Sequence, residues 1–443
     1  MSRNNTERQE AVMNILQNFQ GLDPLKQLFW SELNYERLNQ PVSRKGWGEI
    51  AASAVAEDPI LFAAGGEDNG FHVIYTRLAS DRLLLGSERS IVLKLLQNHP
   101  YSLFVFSDSD QDRWHFVNVK YDSQVSKRRL FRRITVGADE RLRTASERIA
   151  MLDMSSLDAG LFKPPLLSIQ QRHDEAFDVE LVTKQFFKAY SEVFKELEKD
   201  LYDQKKDRKW AHDYSLQFLN RLMFIYFIQR KRWLGNDTEF LRTFWESYKK
   251  SGQQVDSFFE KWLRVLFFEA FNNNFHGGHR YFPEKIREAL SHAPYLNGGL
   301  FKGNKLDEKD FKLADSRFEL IFNFLEKYNF TIAEDSPLDQ EVAVDPEMIG
   351  RVYESLVNTS ETADEQGDAG IFYTPRTEID LMCRLSIVDY LSNHSGDGQK
   401  NLFYELVFAL DQDEKHIADA AVSSVGLWKE IQDLLCGITI LDP

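Results

Sequence analysis

Apolar and polar positions change their spacing partway along the chain. In the first stretch the apolar residues fall in short runs. After "DPILFAAGG" comes "GFHVIYTRL", where Phe71, Val73 and Tyr75 alternate with His72, Ile74 and Thr76 in the period of a strand. A helix is expected around Arg8 to Gln20, and a second in "SERSIVLKLLQNHP", with Ser87 as its N-cap and Pro100 as its stop. "YSLFVFSDSD" and "RWHFVNVKY" are aromatic and β-branched runs separated by Ser and Asp, a hairpin signal. Residues 1–160 therefore read as a mixed α/β domain ordered helix, strands, helix, strand, strand.

The Pro pair in "LFKPPLLS", residues 161–168, marks a boundary, and beyond it the period becomes helical. Phe177, Leu181, Val182, Phe186, Tyr190, Val193, Phe194, Leu197 and Leu201 form one apolar stripe at three- and four-residue steps. "SLQFLNRLMFIYFIQRKRWLG" is apolar over more of its circumference, which predicts the central helix of an all-α domain, ended by Gly235. Further helices are expected near 238–250, 254–272, 283–291, 308–313, 316–328 and 345–358. "TSETADEQGDAG", 359–370, has no large apolar side chain and reads as an acidic loop. A last helix starts within "GIFYTPRTEIDLMCRLSIVDYL", with Thr374 as N-cap and Pro375 in its first turn. The predicted fold is α+β and mostly helical, with spans 1–160, 161–358 and 359–443.

Composition narrows the class. Hydrophobic residues are 43% of the 443, with 34 Phe and 16 Tyr, enough to build sizeable cores. No apolar run nears the roughly 18 residues that span a bilayer, and "MSRNNTERQEAV" lacks a signal-peptide core, so a cytoplasmic protein with no membrane partner is expected. Cys383 and Cys436 are too few for a disulfide framework or a cysteine zinc site and read as buried thiols. The net charge of −15 argues against a chain coated in basic charge, but a local basic face is possible. "KRRLFRRITVGADERLR", 127–143, offers one: Lys127, Arg128, Arg129, Arg132 and Arg133 are candidates for DNA phosphates, against the plainer reading of a sheet edge protected by charge.

The strand order of the first domain is that of a restriction-nuclease core, which needs an acid on one strand and acid-x-Lys on the next to hold Mg²⁺. "FHVIYTRL" offers Tyr75, Thr76 and Arg77 there, and "FVNVKY" offers Asn118, Val119 and Lys120, with Asp108 and Asp110 nearby. A degenerate nuclease-like domain, or one unrelated to nucleases, is the expectation. His276 and His279 flank two glycines in "FHGGHRYF" and read as incidental loop residues. "HAPYLNGGLF" is a tight turn with Tyr295, Leu300 and Phe301 as packing anchors. No phosphate-cradling loop, nucleophile elbow or cysteine quartet occurs, so no catalytic residue and no metal ligand is assigned.

Three stretches in order, "NRLMFIYFIQRKRWL" (220–234), "PYLNGGLF" (294–301) and "PEMIGRVYESLVN" followed by "GIFYTP" (346–375), resemble the adenine-N6 DNA methyltransferases of the large single-chain restriction-modification class called type IIG and their phage-defence relatives. The resemblance implies that Phe372, Tyr373, Thr374 and Pro375 form one wall of an S-adenosylmethionine pocket. It implies that "CGITILDP" is the first strand of a Rossmann-like methyltransferase domain, with Ile438, Ile440 and Leu441 in the strand and Asp442 and Pro443 closing it. In such proteins a helical connector couples cleavage to methylation and touches the DNA backbone. Arg221, Arg230, Lys231 and Arg232 are the candidates here, with ordinary surface charge as the alternative.

The family's Asn/Asp-Pro-Pro-aromatic loop, which holds the flipped adenine, does not occur in the sequence. The chain then reads as the N-terminal portion of such an enzyme, cut at the first cofactor-binding strand and inactive alone. The implied partners are double-stranded DNA and a separately encoded catalytic or specificity portion. S-adenosylmethionine is implied for the intact protein, and Mg²⁺ for the first domain if it cleaves. Two rivals stand beside this reading: a Mg²⁺-dependent endonuclease, and a non-enzymatic DNA-binding or subunit-interaction protein.

Overall fold

The computed structural model describes residues 5–121, 129–157, 163–296, 299–331, 339–346, 348, 350, 374, 376–395, 398–409 and 412–440. Helix α1 (Asn5–Leu16) precedes the short α2 (Leu22–Lys26), which runs on as a π-helical turn at Gln27–Glu32. Then come β1 (Glu36–Pro41), α3 (Glu49–Ser53), β2 (Ile60–Gly65), β3 (Phe71–Arg77), α4 (Leu85–Leu95), β4 (Ser102–Ser107), β5 (Trp114–Tyr121), β6 (Arg129–Val136), α5 (Leu142–Ala150) and α6 (Leu166–Ala176). A helical run follows: α7 (Val179–Lys205), α8 (Arg208–Arg230), α9 (Phe240–Lys250), α10 (Arg264–Phe268), α11 (Glu284–Ser291) and α12 (Asp315–Leu325). The short β7 (Asp339–Glu341) and helices α13 (Arg376–His394), α14 (Lys400–Phe408), α15 (Gln412–Ser424) and α16 (Trp428–Gly437) complete the order. The fold is α+β and mostly helical.

One mixed sheet carries the strands in the order β1 to β7. Neighbours are antiparallel except β3 with β4 and β6 with β7. The β3/β4 exception follows from α4, whose crossover lays β4 parallel to β3. Both faces are covered, so β4, "SLFVFS", is buried at every position, as a central strand of a three-layer unit should be. On one face Ile91, Val92 and Leu95 of α4 pack over Ile74, Phe104, Phe106 and Val117. On the other, Phe19, Phe29, Tyr35 and Trp114 interlock, with Phe19 and Trp114 edge to face at 5.1 Å. Polar β1 closes one edge with exposed Glu36, Arg37 and Gln40.

The chain divides into two compact units. One comprises 1–178, 334–342 and 374–443, and the other 179–333 and 343–373. The division thus falls after Asp178, because α6 packs back on the sheet beside β5. In the second unit α7 lies along α8, whose Tyr214, Phe218, Leu222, Ile225 and Tyr226 are all buried. Asp207 caps α8 by accepting the Trp210 N–H at 3.0 Å. The helix ends at Arg230, and a turn follows in which Arg232 and Gly235 take positive φ; a side chain on Gly235 would meet Ala289.

Several local expectations are corrected. Ser87 lies inside the first turns of α4, and the N-cap is Leu84. The helix expected at 308–313 is replaced by one 3₁₀ turn, Lys305–Glu308, because Asn304 and Asp307 form a capping box that fixes the chain earlier. Cys383 and Cys436 are both exposed, since their helices present those faces outward. Residues 438–440 carry no strand pairing, and Ile440 is 83% exposed. The acidic loop at 359–370 lies outside the described residues, as does the helix expected at 345–358 beyond residue 350. No helix among the described residues is long and apolar enough to cross a membrane.

Helices α13 to α16 share a small core of Val388, Leu391, Phe403, Val422, Leu427 and Ile431, and α15 lies against α3 and α4. The first half of α13 does not join that core. Ile379, Leu381, Met382 and Leu385 are all exposed.

Candidate functional site

The carboxyl ends of the parallel pair β3 and β4 are where an α/β sheet offers a ligand crevice. Position by position, the chemistry expected of a nuclease is absent there. Tyr75 is buried; its hydroxyl meets Ser107 Oγ at 2.9 Å and accepts from Gln111 Nε2 at 2.7 Å, and burial raises its pKa. Thr76 is buried beside it, and Arg77 Nε donates to the Ser109 carbonyl at 3.0 Å. Asp58, just before β2, is taken up by Arg44 Nε at 2.6 Å. Asp108 Oδ1 accepts the N–H groups of Asp112 and Arg113, so it shapes a turn, and burial pushes its carboxyl up. Asn118 lies opposite Leu103 at the other end of β4 and bridges Asp174 and Gln170 on α6. These donors do not fit Mg²⁺, which needs convergent carboxylates. Among the described residues no group of three His, Cys, Asp or Glu side chains could hold an ion.

The basic stretch separates by burial. Lys127 and Arg128 lie outside the described residues. Arg129 starts β6 opposite Tyr121, half-buried. Arg132 and Arg133 are buried, which corrects the expectation that they face DNA. Arg132 Nε donates to Gln340 Oε1 of β7 at 3.1 Å, and its Nη1 stands 3.9 Å from Asp178. Arg133 helps hold the buried Glu88 ionised: burial works against the charge, but His115, at 2.7 Å, and Arg133 keep the carboxyl below its ordinary range. The reason is topological. β7 pairs with β6, so what looks like an edge in sequence is an interior strand.

The second unit repeats the lesson. Arg221, on the wholly buried face of α8, is 0% exposed. Its guanidinium forks onto Asp307 at 2.6 and 2.9 Å, while Nε donates to the Leu300 carbonyl at 2.6 Å. The rings of Phe267 and Phe268 lie beside it. Arg221 therefore clasps Leu300 and Asp307 to α8 and is not a surface contact. Arg230, half-buried, and Lys231 and Arg232, exposed, stay at the helix end, beside Trp233 at 51% exposure. Lys and Arg there also suit the negative end of the helix dipole. His279 pairs with Glu269 at 2.8 Å and Tyr281 at 3.2 Å.

Of the cofactor-wall residues, Phe372, Tyr373 and Pro375 lie outside the described residues, as do Asp442 and Pro443. Thr374 is exposed two residues before α13 begins. Sequence reading missed the buried polar centres of the sheet unit, Glu88 with His115 and Tyr35 with His173 at 2.8 Å. His173 is held neutral by burial, at about 3. A polar residue at a core-facing position of each pattern was the available signal.

No family model matches the chain, and no solved structure matches it. A Methanocaldococcus jannaschii protein bearing the name "Putative type II restriction enzyme and methyltransferase RM.MjaORFECS2P" is 33% identical over 171 residues, 37% of this chain. The chain spans 13% of that relative's length. This similarity relates the chain to restriction-modification proteins.

Proposed function

We propose that this chain is the DNA-contacting and coupling portion of a restriction-modification methyltransferase of type IIG character. The intact protein transfers a methyl group from S-adenosylmethionine to adenine N6 in DNA. The observation that carries the reading is the similarity to the restriction enzyme and methyltransferase of M. jannaschii. The bare apolar start of α13 supports it, because Ile379, Leu381, Met382 and Leu385 leave room for a further protein layer, on the same polypeptide or separately encoded. The donor set at the ends of β3 and β4 does not favour the endonuclease reading.

Phe372, Tyr373, Thr374 and Pro375 would hold the cofactor in the intact protein, and S-adenosylmethionine supplies the electrophilic methyl group. The chain itself contributes phosphate contacts through the turn after α8. The test is binding of a labelled 30-base-pair duplex by the purified chain across a salt series, with methyl transfer from labelled S-adenosylmethionine measured in parallel. Duplex binding that weakens as salt rises, without methyl transfer, is expected. No binding at low salt would overturn the reading.

A further inference from the structure

His72 is the second residue of β3, and His99 lies in the turn between α4 and β4. Their backbones are fixed relative to each other. The His72 N–H donates to the Tyr101 carbonyl at 3.0 Å, and the Ser102 hydroxyl donates to the His99 carbonyl at 3.1 Å. The parallel register places His72 opposite Ser102. Both imidazoles are half-buried, their Nδ1 atoms are 3.3 Å apart, and the rings stand at 87° with centroids 5.0 Å apart.

The rings pack edge to face and their nitrogens lie within hydrogen-bonding range, with the donor set by the tautomer; two arrangements that aim nitrogen at a partner can be compared with this contact. An N–H···N bond is ordinarily about 2.9–3.0 Å and near linear; at the separation seen here, a linear bond between rings of about 1.15 Å radius would put the centroids about 5.6 Å apart. Two imidazoles bound through nitrogen to one tetrahedral ion at about 2.0–2.1 Å would have nitrogens about 3.3 Å apart and centroids about 5.2 Å apart. The nitrogen separation is long for the first arrangement and natural for the second. The centroid separation of 5.0 Å is likewise nearer the second arrangement than the first. Burial, joined for His72 by the neighbouring His99, lowers both pKa values, and the neutral imidazole is the form that ligates.

We propose that His72 and His99 form a two-histidine clip for a divalent transition ion of the zinc, nickel or copper class, tying the turn after α4 to the start of β3. No third protein ligand joins them among the described residues, so water completes the shell. An imidazole pair without a carboxylate selects against Mg²⁺. The clip sits at the opposite end of β3 from Tyr75 and Arg77, and is independent of the proposed DNA and cofactor chemistry.

The test uses the whole chain with Zn²⁺ and Mg²⁺ as probes, read by equilibrium dialysis and thermal melting. The chain has 10 histidines, so the informative quantity is the difference between wild type and His72→Gln or His99→Gln. Each variant should bind one Zn²⁺ fewer and lose the zinc-dependent rise in Tm, with no response to Mg²⁺ in any of them. Equal zinc stoichiometry in wild type and both variants overturns the proposal. If the glutamine variants do not fold, Co²⁺ spectra decide: His99→Cys should add a thiolate charge-transfer band absent from wild type, and unchanged spectra overturn the clip.

Discussion

Arg221 and Lys231 are ten positions apart on and just beyond one helix, and by sequence both are candidates for contact with a DNA backbone. Arg221 is enclosed and forked onto Asp307, while Lys231 projects from the turn that ends the helix. The difference lies in their neighbours. Arg221 sits among Phe218, Leu222 and Ile225 on an apolar stripe, where a cation survives only with a partner of opposite charge and full hydrogen bonding. Lys231 follows the last apolar turn, where its charge is solvated and no buried partner is required.

The strongest way to break this contrast is Arg221→Ala. Removing the fork leaves Asp307 buried without its cation and frees the Leu300 carbonyl, which should cost about 3–5 kcal/mol in the second unit. Arg221→Lys should recover only part, since an ammonium cannot make both parallel bonds and also reach Leu300. Urea unfolding of the full chain, followed by tryptophan fluorescence, measures both. A loss below about 1 kcal/mol for the alanine variant would mean that Arg221 behaves as a surface residue.

Buried titratable groups in the sheet unit extend the contrast to pH. His173 has a folded pKa of about 3 against 6.5 for the free side chain, because burial disfavours its cation. As pH falls from 6.5 towards 3, the unfolded chain takes up a proton that the folded chain refuses, so stability drops by about 1.4 kcal/mol per pH unit. Glu88 acts lower on the scale. Its depressed carboxyl contributes stability that is present above the ordinary value of 4.5 and is lost as pH falls through the folded value. His173→Gln keeps a hydrogen-bonding amide for Tyr35 and should flatten the stability slope between pH 6 and 4, leaving the Glu88 loss below it. Urea midpoints at stepped pH test this, and an unchanged slope would show that His173 is hydrated.

What the sequence disclosed followed from periodicity. The run "GFHVIYTRL" became β3, buried on both faces over 73–76, and the stripe from Val182 to Leu201 became the buried face of α7, while Phe177 caps α6 and Leu181 is exposed. Pairing over long separations was not legible. Nothing local in "RRITV" says that residues 339–341, some two hundred positions on, will lie beside it and make an interior strand of an apparent edge. The same blindness hid the partner of Arg221, since Asp307 is 86 residues away. Of the candidate site, the lack of an acid at Tyr75, Thr76 and Arg77 was readable because it holds in any arrangement of those residues. The geometry between His72 and His99 was not, because it depends on how the turn after α4 closes.

The smallest effect on stability should come from Lys231, and it sharpens the contrast most for function. Lys231→Ala removes an exposed charge with no buried partner to orphan, so the unfolding midpoint should stay within about 0.5 kcal/mol of wild type. If the turn after α8 meets phosphate, the same change weakens duplex binding about equally for different sequences and reduces the slope of log K against log salt by about one. Fluorescence anisotropy at four or more salt concentrations separates the outcomes. A parallel shift with an unchanged slope would mean that Lys231 acts on the helix end and not on DNA. An unchanged affinity would leave the basic turn as a solvated cap that serves the helix dipole alone.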